Sequence, residues 1–243
     1  MTPSATEGAA PRADAGTAPA VSLRGVVRRM GRETVLRGID VDVAPGRLVV
    51  LRGSNGSGKT TLLKLLATRL RPHQGEGRVF GHDLVREADA VRAKVGLLGS
   101  YGGNYPVLSG RENLRLALSL TGKQRDEGAV DAALERVGLA GAADKQVRFY
   151  SSGMKKRLGL ARQLLVDADL WLLDEPYAAL DEQGKRLVDV CLLEARSRGR
   201  TLLVASHEQD RHDLVPDAVL ELDGGRLRMA AFRPAAGATG GAW

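Results

Sequence analysis

The stretch Gly53-Ser54-Asn55-Gly56-Ser57-Gly58-Lys59-Thr60 decides the fold of this chain. It follows the apolar run 48–51, which is typical of a buried parallel strand, and it precedes a helical pattern from residue 59 to about residue 70. A glycine-rich turn between a buried strand and a helix predicts a phosphate-binding loop. The glycines let backbone N–H groups wrap around phosphate oxygens, and the N-terminus of the helix adds positive potential.

Two side chains at the end of this loop supply the remaining chemistry of an ATP site. Lys59 is long enough to reach the β- and γ-phosphates, and the Thr60 hydroxyl is suited to bind Mg²⁺. Thr61 follows directly and is assigned to the same site. The alternative is a glycine-rich turn that binds nothing, but the three key positions of the motif co-occur by chance in only about one chain of this length in a hundred.

Two carboxylates end a second apolar run, Leu170-Trp171-Leu172-Leu173-Asp174-Glu175. Because the carboxyl ends of parallel strands meet at one edge of a sheet, we expect both side chains beside the phosphate loop. Asp174 is then suited to hold Mg²⁺, and Glu175 to polarise the attacking water as a general base, which favours hydrolysis. The alternative is a polar strand end that leads into a turn.

A histidine follows the third apolar run, 201–205, in Ser206-His207-Glu208. If this run is another parallel strand, the imidazole of His207 reaches the same edge, where it could contact the γ-phosphate and the attacking water. A lone histidine is more often an ordinary strand-end residue. The neighbouring motifs favour the catalytic interpretation.

The alternation of apolar runs and helical patterns predicts an α/β fold with a mostly parallel sheet. Strand patterns at 21–29 and 34–43 precede the phosphate loop. A helix-rich stretch covers about 110–167, and a further helical pattern at about 182–198 lies between the last two apolar runs. The helix-rich stretch is expected to form an inserted helical subdomain.

Composition limits the classes of protein to consider. The net charge of +7 could favour nucleic acid or anionic lipid headgroups, but 4% aromatic residues leave little surface for base stacking, so no nucleic acid partner is expected.

The sequence lacks an apolar run of membrane-spanning length and a secretory signal pattern, which predicts a cytoplasmic location. Cys191, the single cysteine, is interpreted as a buried, inert thiol. Residues 1–20 and 233–243 are predicted to be a disordered leader and a flexible tail.

The stretch Tyr150-Ser151-Ser152-Gly153-Met154-Lys155-Lys156-Arg157-Leu158 resembles the signature of the nucleotide-binding subunits of ATP-binding cassette (ABC) transporters, usually Leu-Ser-Gly-Gly-Gln followed by basic residues. The run Ala178-Ala179-Leu180-Asp181 resembles the D-loop of that family. The resemblance covers about residues 21–228. It implies a P-loop NTPase core with an N-terminal antiparallel β-subdomain and a helical subdomain at about 102–167, within one ATPase domain at 21–232.

The resemblance also implies a function. An ABC subunit of this kind hydrolyses MgATP as a homodimer or heterodimer and powers a separate transmembrane permease. The subunit itself is cytoplasmic and lies peripherally on the inner face of the cell membrane. The resemblance further implies that residues 151–154 of one subunit bind the ATP held by the other. This role suits the segment, since Ser151 or Ser152 can cap a helix whose N-terminus attracts phosphate. The alternative for this segment is a capped helix start without a ligand.

Three departures from the family pattern affect particular roles. Ser152 replaces the first glycine of the signature, and Met154 replaces its glutamine. Met30 aligns with the aromatic residue expected to stack on adenine, which puts nucleotide selectivity in question. Ser100 aligns with the expected glutamine of the Q-loop, with Tyr101 or Asn104 as a nearby substitute, which puts coupling in question.

The pattern of the motifs is closest to export-type ATPases, such as the haem exporter subunit of cytochrome c maturation. A soluble ABC-class ATPase acting on nucleic acid or ribosomes is the alternative, although the sequence has no zinc cysteines, long coiled-coil insertion or second cassette. A nucleotide-binding regulator without turnover is a third class, which Glu175 and His207 disfavour.

Overall fold

The computed structural model of this chain describes residues 18–99, 103–123, 126–206 and 214–232. Within these ranges the strands are β1 (Val21–Met30), β2 (Glu33–Val43), β3 (Leu48–Arg52), β4 (Gln74–Val79), β5 (His82–Asp83), β6 (Val95–Leu98), β7 (Leu170–Asp174), β8 (Thr201–Ala205), β9 (Ala218–Asp223) and β10 (Arg226–Phe232). The helices are α1 (Lys59–Leu66), α2 (Ala88–Lys94), α3 (Gly110–Thr121), α4 (Glu127–Arg136), α5 (Ser152–Val166) and α6 (Glu182–Ser197). Short 3-10 turns form at Ala140–Ala142 and Val147–Phe149.

The smaller sheet is antiparallel and has the order β2-β1-β4-β5. Leu23, Leu36 and Ile39 point inward from it, are fully buried, and belong to a core shared with α1. Ala20 is also fully buried, and its N–H donates to the carbonyl of Val43. Ala20, the last residue of the segment that the sequence assigned to the leader, is therefore part of the packed structure.

The larger sheet has the order β10-β9-β3-β8-β7-β6. Its strand pairs are parallel, apart from the β9–β10 hairpin. Leu170 and Leu172 of β7 pack in the core with α1, whereas Trp171 and Leu173 pack in the core with α6. Because helices cover both faces of the sheet, every position of β7 and β8 is buried, which explains the continuous apolar runs in the sequence.

A separate group of helices, α3, α4 and α5, packs around its own apolar core, which includes Leu114, Leu134 and Leu158. A capping box starts α3: the Ser109 side chain accepts from the N–H of Glu112, whose carboxylate accepts from the N–H of Ser109. α5 also contacts β6 and α6, so it joins this group to the larger sheet. None of the helices in the described ranges is long and apolar enough to cross a membrane.

The predicted fold class is confirmed: an antiparallel sheet precedes a mostly parallel sheet, and helices are inserted between β6 and β7. The predicted end of α1 at about residue 70 is wrong, because Ala67 caps the helix and Thr68 takes a left-handed conformation with a φ of 55°. The sequence interpretation also missed α2, β4, β5, β9 and β10. Cys191 is buried as predicted, and burial raises the pKa of its thiol to about 11.

Candidate nucleotide-binding site

The glycine-rich loop connects β3 to α1 and leaves no room for a side chain at its first position. A Cβ added to Gly53 would collide with the carbonyl oxygen of Leu222 and would lie 2.6 Å from the Ser57 hydroxyl. Gly58 forms the N-cap of α1 with a φ of 110°, a conformation that favours glycine. The loop therefore requires glycine for close packing against β9 and for the turn into the helix.

The polar groups of this loop fit a phosphate chain. The ammonium of Lys59, which is largely buried, donates to the carbonyl oxygens of Gly53 at 2.6 Å and Ser54 at 3.1 Å. The hydroxyl of Ser57 is buried and has no hydrogen-bond partner within the described chain. Phosphate oxygens can accept from both groups, while residues 54–56 at the tip are exposed to an incoming nucleotide.

A hydroxyl and a carboxylate meet beside the loop. The Thr60 hydroxyl donates to both carboxylate oxygens of Asp174, at 2.9 and 3.1 Å, so the first turn of α1 and the end of β7 converge. Both are oxygen ligands suited to Mg²⁺, which typically keeps waters and binds substrate phosphates in addition to one or two protein groups. Among the described residues there is no cluster of three or more His, Cys, Asp or Glu side chains that could hold a metal alone. The pair formed by Thr60 and Asp174 is suited to a cation that nucleotide phosphates also bind.

Glu175 follows β7 in an unusual backbone conformation. Its φ is 50°, in the left-handed region, which costs a residue other than glycine about 1 kcal/mol. The N–H of Glu175 donates to the carbonyl of Ala205 at the end of β8, at 2.8 Å. The side chain is half-buried, next to the Asp174 carboxylate in sequence. Strained residues held by their surroundings are typical of functional sites.

A buried lysine that the sequence interpretation missed contacts this turn. Lys156 of α5 is only 3% exposed, and its ammonium donates to the carbonyl oxygens of Glu175, Asp174 and Gly99. Burial lowers the pKa of Lys156 to about 8, although the carboxylates of Asp174 and Glu175 act in the opposite direction. The sequence showed only a basic residue in a basic run, which normally indicates a solvated surface.

The signature-like segment forms the start of α5. Ser151 is the N-cap, and its side chain accepts from the N–H of Met154 at 3.2 Å. Ser151 and Ser152 are exposed, so the N-terminus of α5, where N–H groups lack acceptors within the helix, lies at the surface. Gly153 packs on its own chain, because a Cβ added there would lie 3.0 Å from the carbonyl oxygen of Ala179.

The D-loop segment connects Glu175 to α6. Ala179 has a φ of 64°, and Asp181 caps α6 by accepting from the N–H of Gly184 at 2.7 Å. Upstream, the hydroxyl of Tyr177 donates to the buried carboxylate of Asp189 at 2.9 Å. These contacts fix the segment against α6 on one side and against the start of α5 on the other.

The remaining predicted residues are placed as follows. Met30 is 48% exposed at the end of β1, with the guanidinium of Arg28 3.8 Å from its sulfur. Asn104 donates to the carbonyl of Lys155, on α5. Ser100, Tyr101 and His207 lie outside the described residues, so their predicted roles stay predictions.

Comparison with known proteins places these features in a family. The family profile described as "ABC transporter" matches residues 36–178. The "Daunorubicin resistance ATP-binding protein DrrA3" of Streptomyces coeruleorubidus is 39% identical over 86% of this chain and 66% of its own length. The related DrrA protein of Streptomyces peucetius is 34% identical over 86% of this chain and 64% of its own length. This chain thus spans slightly less than two thirds of either daunorubicin relative.

A second kind of relative is covered more completely. The "Cytochrome c biogenesis ATP-binding export protein CcmA" of Methylococcus capsulatus is 39% identical over 73% of this chain and 86% of its own length. Among solved structures, the ATP-binding cassette MJ0796, a dimer in a post-hydrolysis state with ADP and Pi, superposes with a TM-score of 0.79. The superposition covers 88% of this chain and 99% of that chain at 23% identity, which shows the fold.

Proposed function

The chain belongs to the ABC transporter family as an ATP-binding subunit, and we propose that it hydrolyses MgATP to drive an export-type membrane transporter. The contact between Thr60 and Asp174 carries this proposal, because it brings a cation-binding hydroxyl and carboxylate together beside the phosphate loop. Glu175 follows Asp174 directly, where a general base is needed.

The proposed reaction is the transfer of the γ-phosphoryl group of ATP to water. Backbone N–H groups of residues 53–58 and the ammonium of Lys59 bind the phosphate oxygens, and Thr60 and Asp174 hold Mg²⁺. Mg²⁺ held there by Thr60 and Asp174 would offset charge on the phosphates. Glu175 accepts a proton from the attacking water while the oxygen of that water forms a bond to the γ-phosphorus. The bond from the γ-phosphorus to the bridging oxygen breaks, and ADP and phosphate leave.

The proposal includes a dimer in which each ATP lies between two subunits. Exposed Ser151, Ser152 and the first N–H groups of α5 offer hydrogen bonds and a helix dipole to a phosphate from outside the chain. The dimeric MJ0796 cassette, which shares the fold, supports this arrangement. Dimerisation would make residues 151–154 part of the site of the other subunit.

A transmembrane permease completes the proposal and would hold this chain at the inner face of the membrane. The support comes from relatives whose names describe drug resistance and cytochrome c biogenesis export. The cytochrome c biogenesis relative is named an export protein, and we propose the same direction of transport here.

Two measurements test the proposed function. Phosphate release by the purified chain with MgATP should be lost in Lys59→Ala, whose loop lacks the ammonium. Affinity purification of the tagged chain from detergent-solubilised membranes should recover a protein with several transmembrane segments. Recovery with ribosomes or nucleic acid instead would favour the soluble ABC-class alternative, and wild-type protein without phosphate release would contradict the ATPase itself.

A further inference from the structure

Lys156 occupies a position where a basic side chain needs a specific reason. It is buried on α5, and burying an ammonium is unfavourable unless its donors are satisfied. An ammonium has three donors, and three carbonyl oxygens lie within hydrogen-bonding reach: that of Glu175 at 2.9 Å, Asp174 at 3.3 Å and Gly99 at 3.4 Å. All three acceptors are main-chain groups at the ends of strands or just beyond them.

These contacts fix both peptide groups that flank the Cα atom of Glu175. The peptide before it is bound twice, through the N–H of Glu175 to Ala205 and through the carbonyl of Asp174 to Lys156. The peptide after it is bound through the carbonyl of Glu175 to the same ammonium. With both peptide planes fixed, φ and ψ are fixed, and so is the direction in which the Glu175 side chain leaves the backbone.

The backbone at this position would not keep its conformation by itself. Glu175 has a positive φ of 50°, which a residue with a Cβ adopts only when its surroundings impose it. Two contacts hold this conformation: the carbonyl of Ala205 in the larger sheet accepts from the N–H of Glu175, and the ammonium of Lys156 on α5 donates to the Glu175 carbonyl. Lys156 is therefore a direct contact between α5 and the turn that carries Glu175.

We propose that Lys156 is a positioning residue for ATP hydrolysis, which aims the Glu175 carboxylate by binding the peptide groups on both sides of it. The inference rests on the proposed ATPase function and adds a residue outside the motifs that bind the nucleotide. If Lys156 has this role, the orientation of the Glu175 carboxylate depends on the position of α5.

The experiment replaces the ammonium and separates turnover from nucleotide binding. Lys156→Met keeps an unbranched chain and removes every donor, so kcat should fall about 100-fold, the effect typical of a misplaced catalytic group. The KM for ATP and the Kd of a fluorescent ATP analogue should change by less than about threefold, because the phosphate loop is untouched. Lys156→Gln restores donors on a shorter side chain and should recover part of kcat.

Lys123→Met is the matched control. The Lys123 ammonium donates to the carbonyls of Val166 and Asp167 at the opposite end of α5, so its loss perturbs the same helix away from Glu175. We expect a lower Tm but a kcat within about twofold of wild type. If circular dichroism shows that Lys156→Met does not fold, the kcat and the KM for ATP of Lys156→Gln test the positioning role instead.

Three results would overturn the inference: an unchanged kcat in the Lys156 variants, a KM that rises as much as kcat falls, or an equal loss of kcat in Lys123→Met. Each requires an active wild-type protein. Absence of wild-type phosphate release contradicts the proposed function, whereas active wild type with equally active Lys156 variants contradicts only the positioning role.

Discussion

The hydroxyl of Thr60 lies 2.9 and 3.1 Å from the two carboxylate oxygens of Asp174, although the residues are 114 positions apart in the chain. This contact predicts how nucleotide binding depends on magnesium. Thr60→Val should reduce the gain in ATP affinity on adding Mg²⁺ by about tenfold, a typical loss when a metal site is disturbed. A titration of fluorescent ATP with and without EDTA measures the gain. Thr60→Ser is the control and should behave as wild type; equal gains in Thr60→Val would remove Thr60 from the cation site.

The second prediction separates hydrolysis from binding at Glu175. Glu175→Gln should lower kcat at least about 100-fold, because a general base contributes on that scale, and should leave ATP affinity nearly unchanged. Size-exclusion chromatography with MgATP should then show a persistent dimer. Glu182→Gln removes an exposed carboxylate that pairs with Lys185 at the start of α6 and should keep wild-type turnover. Near-wild-type phosphate release by Glu175→Gln would show that another group is the base.

The third prediction tests whether the ATP sites are shared between subunits. Lys59→Ala disables the phosphate loop, and Gly153→Asp adds a carboxylate and crowds the carbonyl of Ala179, 3.0 Å from the position of a Cβ. Each variant alone should be inactive, whereas a mixture that contains verified mixed dimers has one intact site and should release phosphate. Silent mixed dimers would count against sites built from two subunits.

The fourth prediction concerns the base of the nucleotide. Met30 is about half exposed at the end of β1, and its thioether offers less stacking area than an aromatic ring. Met30→Tyr should tighten ATP binding by about 0.5–1.5 kcal/mol, the scale of an aromatic pair. Met30→Leu changes the apolar side chain without adding a ring and should leave the Kd within about twofold. Unchanged affinity in Met30→Tyr would mean that residue 30 does not contact the base.

Continuous apolar runs made the centre of the larger sheet predictable. The strands β3, β7 and β8 are buried on both faces, so nearly every position must be apolar, and the phosphate loop marks the end of β3. The ends of these strands also placed Asp174 and Glu175. Such a pattern depends on local residue type alone, which a sequence displays directly.

Other elements depend on pairing and were missed. The strand β4, Gln74–Val79, is polar and contains two glycines, and it is extended because it pairs with β1. The hairpin of β9 and β10 turns at Gly224 and Gly225, a recognisable signal that the sequence interpretation overlooked. The burial of Lys156 could not be predicted for a different reason: it depends on the packing of α5 against the end of β7, which the local sequence does not show.

The contact between Gly53 and Leu222 has a consequence for the order in which the protein acquires its binding site. The phosphate loop is made early in synthesis, but β9, which pairs with β3 and packs against the loop at Gly53, is made about 170 residues later. A nascent chain that has not yet extended past β9 leaves β3 with an unpaired edge and the loop without its supporting wall. The wall that supports the phosphate loop is therefore complete only after β9 has been synthesised.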